Sequence, residues 1–404
     1  MSYQKVGTPR AYIDMIQPLL ENGTITGSDQ ITGSGLLTTA SSIIQLFDNK
    51  PNNTITIGGN GTTTAQKITI DTNISDNSFE IAEHATLTSG SAVVTHTADS
   101  RIVAGLKVNH AGIPADTTIA TINSTTQFTM SAVVGIGHSG DDENLTYNDS
   151  TGSLLNQTMF VAILGHNFKS ADAKFRVQTD HSSGFTSPHA PTMTNVCNAT
   201  LLLGSDYAVP TTDGWSLITY TQDFDNRYQR LIIDDVSTYD TDVKIGCILW
   251  GVVYNFPNAP DLNIKKSFNY DGLKINESLG GQKYAHATHL TNSRWATTGA
   301  WSTTNDISFK TGRKKLDMSF SFLSESNTFP SDLYNTLSTR NNNSILNRIV
   351  MMTNGGMFPL LLQYANDNAD TDDGFLWCRL DNEPSFNQVA YNQYSTQLSF
   401  VEEF

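Results

Sequence analysis

Nine histidines offer the first candidates for chemistry in this 404-residue chain. His286 and His289 stand at i, i+3, a spacing that would bring two imidazoles together on a helix. However, Tyr284-Ala285-His286-Ala287-Thr288-His289-Leu290 reads as extended, and residues three apart then face opposite sides. No carboxylate lies close by in sequence, so the pair is expected as surface histidines. His166 follows the apolar run Phe160-Val161-Ala162-Ile163-Leu164 and precedes Asn167, where a general base at a strand end would stand. The best metal candidate is Asp367-Asn368-Ala369-Asp370-Thr371-Asp372-Asp373-Gly374. Calcium takes several oxygen ligands from a flexible loop. With Asn368, Asp370 and Asp372 as the first three ligands, the turn glycine should follow Asp372 directly. Asp373 stands there instead, Gly374 comes one residue late, and Arg379 occupies the closing Glu position. The calcium-loop pattern fails, and a solvated acidic turn is expected.

The remaining motifs carry no chemistry either. There is no Gly-x-Ser-x-Gly elbow, Walker loop or His-Glu-x-x-His. Gly58-Gly59-Asn60-Gly61 lies between strands with no helix behind it to receive phosphate. The acids Asp234-Asp235 suit a β-turn; a glycosidase needs two carboxylates facing across a cleft. Asn-x-Ser/Thr matches recur as chance alone predicts in an Asn/Thr-rich chain. Cys197, Cys247 and Cys378 are odd in number and widely spaced, so they form no disulfide framework and no zinc motif. They are expected as buried apolar residues in a chain that folds in a reducing cytoplasm. No catalytic, cofactor-binding or metal-ligating residue is therefore assigned, and no cofactor or enzyme activity is expected.

The elements that position these residues follow from composition. Charged residues make up 16% of the chain, far below the usual quarter, and uncharged polar residues fill the gap. With 19 Phe, 14 Tyr and 5 Trp the chain is no disordered solvating segment. Thr, Val, Ile and aromatics with Gly and Asn turns spell strands. A net charge of −15 argues against nucleic-acid binding, which needs cations to release phosphate counterions. It also discourages contact with anionic membranes. The longest basic run, Arg313-Lys314-Lys315, reads as a solvated strand start. The first residues contain no apolar run of a signal peptide. Cys247 to Phe256, the most apolar stretch, is half the length that spans a bilayer as a helix. No membrane insertion is expected.

Along the chain, residues 1–30 read as an N-terminal arm, with a short helix over 10–20 interrupted by Pro18. From Ser41 the pattern is β, through Ile43, Ile44, Leu46 and Phe47 and then two alternating runs, Thr54-Ile55-Thr56-Ile57 and Ile68-Thr69-Ile70-Asp71. Residues 84–143 form an insertion of four short strands, 92–95, 105–108, 118–122 and 127–130, separated by Gly, Pro, Asp and Asn turns. Phe256-Pro257-Asn258-Ala259-Pro260 is the clearest linker, because two prolines break any ladder. Beyond it, Leu316-Asp317-Met318-Ser319-Phe320-Ser321-Phe322-Leu323 alternates, 331–337 offers a short helix, and 348–352, 359–364, 374–380 and 395–401 read as strands. The period of two dominates, so the class is all-β.

Three sets of residues resemble bacteriophage structural proteins. Leu46-Phe47-Asp48-Asn49-Lys50-Pro51, Ile163-Leu164-Gly165-His166-Asn167-Phe168 with Ala171, Arg227-Tyr228-Gln229-Arg230-Leu231-Ile232-Ile233-Asp234 and Ile245-Gly246-Cys247-Ile248-Leu249-Trp250-Gly251 resemble discoidin-like jelly-roll domains of such proteins. The insertion, with its Gly112-Ile113-Pro114-Ala115 turn, is similar to small β modules of virions. Asn269-Tyr270-Asp271-Gly272-Leu273-Lys274, Gly312 to Phe320 and Gln388 to Tyr394 are similar to the second half of marine-phage tail proteins. The resemblance implies a discoidin-like β-sandwich (jelly roll) over 31–83 and 144–256, the inserted small β-domain 84–143, and a β-rich assembly domain with one short helix over 257–404. It favours a structural His166, its imidazole bonded to a neighbouring loop.

A fold does not itself give function. The expectation is a non-enzymatic component of a tailed-phage virion, assembled in the host cytoplasm, from the tail tip, distal tail or adaptor. Its partners would be copies of itself in a symmetric ring and neighbouring virion proteins, burying aromatics such as Trp250, Trp295, Trp301 and Trp377. The alternative is a carbohydrate- or receptor-binding module, on a tail fibre or as capsid decoration, whose partner is a host-surface glycan.

Overall fold

A computed structural model describes residues 7–25, 30–35, 40–72, 78–99, 102, 104, 106–114, 117–148, 157–180, 183–186, 188–202, 206–222, 227–235, 238–269, 273–287, 313–330, 343–364 and 374–403. The protein is all-β, with several sheets and a few short helices. The described residues 78–148 form one compact unit and the others form a second.

In the larger unit, hydrophobic runs make the sheet centre. Thr158–His166 and Cys247–Asn255 are apolar nearly throughout and buried on both faces. They pair with each other as interior strands of an eleven-stranded antiparallel sheet. From one edge its order is Met193–Cys197, Gly214–Thr221, Thr158–His166, Cys247–Asn255, Arg10–Asp14, Leu360–Gln363, Phe375–Leu380, Gln393–Glu402, Arg313–Ser324 and Lys265–Asn269. Phe386–Ala390 adds to Gln393–Glu402.

A second sheet of six strands runs Ala199–Leu201, Ala208–Pro210, Ala173–Asp180, Tyr228–Asp235, Gln66–Asp71, Ile31–Ser34. Here the sequence alternates, as in Lys174-Phe175-Arg176-Val177, and the apolar face is buried. The Tyr220 hydroxyl of the first sheet donates to Gln229 Oε1 of the second at 3.2 Å, and both side chains are buried. The sheets therefore meet through these faces, and Trp250 Nε1 extends the chain by donating to the Tyr220 hydroxyl at 2.6 Å.

The N-terminal segment is not a free arm. Arg10–Asp14 lies between Cys247–Asn255 and Leu360–Gln363, with Tyr12 opposite both Val253 and Leu361. The reason is burial: Ala11, Tyr12 and Ile13 are almost wholly enclosed, and Tyr12 belongs to the aromatic core with Phe160, Trp215, Phe375 and Trp377. Gly251 permits the approach, since a Cβ there would meet the Ile13 carbonyl. The short helix starts later than expected, at Ile16–Glu21, which puts Pro18 in its first turn where no N–H is needed. Nor does 257–404 stand apart as a domain, because strands on both sides of Phe256–Pro260 share the one large sheet.

Two segments expected as strands are helical. Ala40–Gln45 is an α-helix, and its end presents Ile43, Leu46 and Phe47 to the core at i, i+3, i+4. Leu346–Met351 is a π-helix that buries Ile349 and Arg348. The helix expected over 331–337 lies outside the described residues; nearby, Glu325–Thr328 makes a short helix capped by the Ser324 hydroxyl.

Residues 78–148 fold as a six-stranded sheet in the order Lys107–Asn109, Gly140–Asn148, Ser78–Leu87, Val93–His96, Gln127–Met130, Ile119–Ser124. The flanking strands extend past 84 and 143 because Ser78–Leu87 and Gly140–Asn148 pair along most of their length. Val108 N donates to Thr117 O at 2.8 Å and Ile119 N to Leu106 O at 2.7 Å. These bonds return the last strand to the first, so the sheet closes into a small barrel. Closure removes the open edges, and the interior is filled by Leu87, Val94, Ile119, Phe128, Leu145 and Tyr147 among others.

Candidate functional site

His166 sits at a strand end, buried, and every polar atom of its ring is accounted for. Nδ1 accepts from Phe168 N at 3.2 Å, so the proton is on Nε2, which lies 2.9 Å from Ser216 Oγ. The Ser216 hydroxyl in turn donates to Asn198 O at 3.2 Å. Burial pulls the imidazole down to about 3, so it is neutral and locked in one tautomer. The ring ties two adjacent strands to the loop that follows its own. It is held as a structural element, with neither nitrogen available as a base. Gly165 and Gly246 beside it let the Pro51 carbonyl rest on both backbones, since a Cβ at either would collide with it.

The other sequence candidates do not converge. The backbone at His286 belongs to the hairpin strand Lys283–Ala287, while His289 lies outside the described residues. So do Asp367 to Asp373, Trp295 and Trp301. Asp234 and Asp235 end the strand Tyr228–Asp235 and make no turn, and Asp234 accepts from the Tyr207 hydroxyl at 3.1 Å. Gly58 ends a strand, and Asn60 N donates to Asp242 rather than to a phosphate. The three cysteines are buried free thiols. Arg313, Lys314 and Lys315 begin a strand as expected, but Lys315 pairs with Asp381 at 2.6 Å, so the run is not simply solvated. Trp250 and Trp377 are buried in the chain's own core, so neither is left over to pack against a neighbour. Among the described residues no three His, Cys, Asp or Glu side chains gather where a metal could be held. No described helix is long and apolar enough to cross a membrane.

A histidine pair escaped the sequence reading. His84 and His96 lie twelve residues apart on the paired strands Ser78–Leu87 and Val93–His96. Their rings are 5.6 Å apart and both side chains are buried. His84 Nε2 meets the Tyr147 hydroxyl at 2.8 Å, and His96 packs on Phe128. His96 Nδ1 lies 2.8 Å from Thr97 O, a carbonyl that can only accept, so this nitrogen carries the proton. That leaves His96 Nε2 as a buried acceptor without a hydrogen-bond partner. Burial and the neighbouring ring push His84 below the usual imidazole value, and burial raises the Tyr147 hydroxyl. The one sequence signal was alternation, with Val94 and His96 both pointing into the barrel.

The larger unit holds a second unusual group. Arg348, wholly buried on the π-helix, bonds to Asn343 Oδ1, Gln157 Oε1 and Met352 Sδ, with no carboxylate partner among the described residues. Burial lowers it to about 10, still charged at neutral pH. It ties the π-helix to the residue preceding Thr158–His166.

The surface is most distinctive over residues 262–287. Leu273–Glu277 and Lys283–Ala287 form a two-stranded sheet of their own, and every described side chain on it is exposed. Leu273 and Ile275 share one face with Ala285, Ile275 being 59% exposed, and Leu279 at the turn is fully exposed. The preceding strand, Lys265–Asn269, is the sheet edge and exposes Phe268. In the next strand inward, Phe322 is 72% exposed at φ +58, beside a register shift between Phe320 and Leu323. A bulky residue in the left-handed region is a rare, strained arrangement. Between residues 265 and 283 four lysines stand against two acids, on a chain of net charge −15.

Comparison of the chain with protein-family models, with curated proteins and with solved structures finds no match.

Proposed function

We propose that the chain is a non-enzymatic structural component of a tailed-phage virion, in the tail tip, distal tail or adaptor region, assembling through protein–protein contacts. The observation that carries the assembly reading is the exposed hairpin of Leu273–Glu277 and Lys283–Ala287. A lone two-stranded hairpin is marginally stable in water, and this one offers Leu273, Ile275, Leu279 and Tyr284 to solvent. Such a surface fits a partner that covers it. The partner is a second copy: a locally basic hairpin complements the acidic remainder of the same chain. Unlike patches meeting head to tail close into a ring when the rotation allows. The virion assignment rests on the sequence resemblance, as does reading the two packed sheets as a discoidin-like jelly roll.

Sedimentation of the full chain over a range of concentration and salt tests the assembly. Expected are species above the monomer that dissociate as salt rises and are lost in a Lys274→Glu, Lys283→Glu double variant. Phe322→Gly should weaken assembly while relieving about 1 kcal/mol of backbone strain, leaving the monomer no less stable to urea. A dispersed monomer at every concentration, or association indifferent to these changes, refutes the reading. Particle imaging would then place the density along the virion and give its symmetry.

A further inference from the structure

One end of the barrel of residues 78–148 holds an apolar side chain out into water on a stiff support. Ile136 is 96% exposed and Val133 51%. His138 N donates to Gly135 O at 3.2 Å, which closes a four-residue turn over Ile136 and Gly137. Gly137 has φ +88, the backbone that the third position of a type II turn requires. Ser89 fastens this turn from a neighbouring loop: its Oγ accepts from Gly137 N at 3.0 Å and donates to Gly135 O at 3.3 Å. Gly135 N donates to Gly112 O at 2.8 Å and Val134 N to Ser91 O at 2.9 Å. Val134 itself is wholly buried in the barrel core. Ile136 is thus pinned on both sides, and its apolar surface is presented to a partner without further ordering.

The same end is acidic. Gly140 pairs with Leu87, so the start of Gly140–Asn148 lies beside the Ser89 loop, and there Asp141 and Asp142 are exposed. Residues 78–148 carry seven acids against two bases, a net −5 of the chain's −15. Of those seven acids only Asp141, Asp142 and Glu143 are consecutive, and they follow Ile136 within seven residues. Carboxylates beside the tip disfavour an anionic lipid surface. The complement is a surface both apolar and locally basic. The hairpin of Leu273–Glu277 and Lys283–Ala287 answers to that description, with Leu273, Ile275 and Leu279 exposed and four lysines against two acids between 265 and 283.

We propose that this barrel end of one copy docks on the hairpin of the next. Ile136 and Val133 pack on Leu273, Ile275 and Leu279. Asp141 and Asp142 meet the hairpin lysines, Lys283 standing on the same face as Leu273 and Ile275. Glu277, directly across from Lys283, opposes the contact. Two unlike surfaces meeting head to tail leave one of each free for a further copy. The inference rests on the self-association proposed above and names the surface that the hairpin meets.

Sedimentation of the full chain, at a concentration where the wild type associates, tests it. Ile136→Asp should lower the association constant about tenfold or more, since an isoleucine buried in the contact is replaced by a charge. Asp141→Lys with Asp142→Asn should do the same; asparagine tolerates the left-handed backbone of Asp142, φ +58. Both should leave the stability of the monomer to urea unchanged. Glu277→Gln should strengthen association. A chain carrying the barrel charge change together with Lys274→Glu and Lys283→Glu should associate again, although each set alone dissociates it. Ile122→Thr, exposed on the strand Ile119–Ser124 of the same unit, should leave association unchanged. If the hairpin double variant dissociates the chain while Ile136→Asp and the barrel charge variant associate like the wild type, this contact is overturned and the assembly reading stands. A wild type that stays monomeric, or that is indifferent to the hairpin variant, removes that reading and this contact with it. Binding to lipid vesicles that Ile136→Asp abolishes, with association intact, would assign the tip to a membrane and also overturn the contact.

Discussion

Asp14 gives the most direct test of how the N-terminal strand is held. Its carboxylate is buried at the end of Arg10–Asp14, where Oδ1 accepts from Trp250 N at 2.9 Å and Oδ2 from Gln17 N at 3.0 Å. Those donors pull the carboxyl down, but burial outweighs them and raises it from 3.8 to about 6. The folded protein therefore keeps a proton that the unfolded chain releases between these two values. Stability then falls as pH rises from 3.8 to about 6 and is level beyond. A shift of that size corresponds to about 3 kcal/mol.

The wild-type profile alone will not show this, because His166 contributes the opposite slope in the same range. Asp14→Asn isolates it. The amide has a fixed cost, since its NH2 must face one of the backbone donors, but that cost does not vary with pH. Urea unfolding of both proteins at about pH 3.5 and about pH 7.5 should show the wild type losing about 3 kcal/mol relative to the variant. A wild-type-minus-variant difference that stays constant across pH would refute the account of a carboxyl governed by burial.

His166 should show the Nε2–H tautomer by nitrogen-15 NMR and no protonation down to about pH 4, because burial holds it at about 3. Its contribution to stability should erode by about 1.4 kcal/mol per pH unit below 6.5, and a ring that titrates near 6.5 would sink this. Gly246→Ala should destabilise by about 1–3 kcal/mol by driving a Cβ into the Pro51 carbonyl, a backbone atom that cannot swing away. Thermal unfolding matching the wild type would count against that contact.

How far the structure was legible depended on how far apart its partners lie. Strands such as Arg313–Ser324 announce themselves by local alternation, and Gln127–Met130 falls where turn spacing puts it. The place of Arg10–Asp14 has no local signal, because its neighbours are some 240 and 350 residues away. Ala40–Gln45 misled because Ile43 and Ile44 have strand propensity, while the deciding contacts of Ile43, Leu46 and Phe47 are tertiary. The burial of the His84–His96 pair needed the barrel's closure, which depends on backbone bonds near 106–108 and 117–119. Exposure of the 273–287 hairpin was equally invisible, since Leu273, Ile275 and Tyr284 read like any half-buried strand.

The position of Arg10–Asp14 also bears on the order of events at the ribosome. Arg10–Asp14 is seated between one strand that ends at Asn255 and another that ends at Gln363, both made long after it. It must wait for most of the chain to be made before either ladder can form. Residues 78–148, by contrast, close within a short span and can fold during synthesis. Maturation is thus paced by a delayed clasp: until the strand is captured, Ala11, Tyr12 and Ile13 stay uncovered on a nascent chain, a natural point for chaperone engagement.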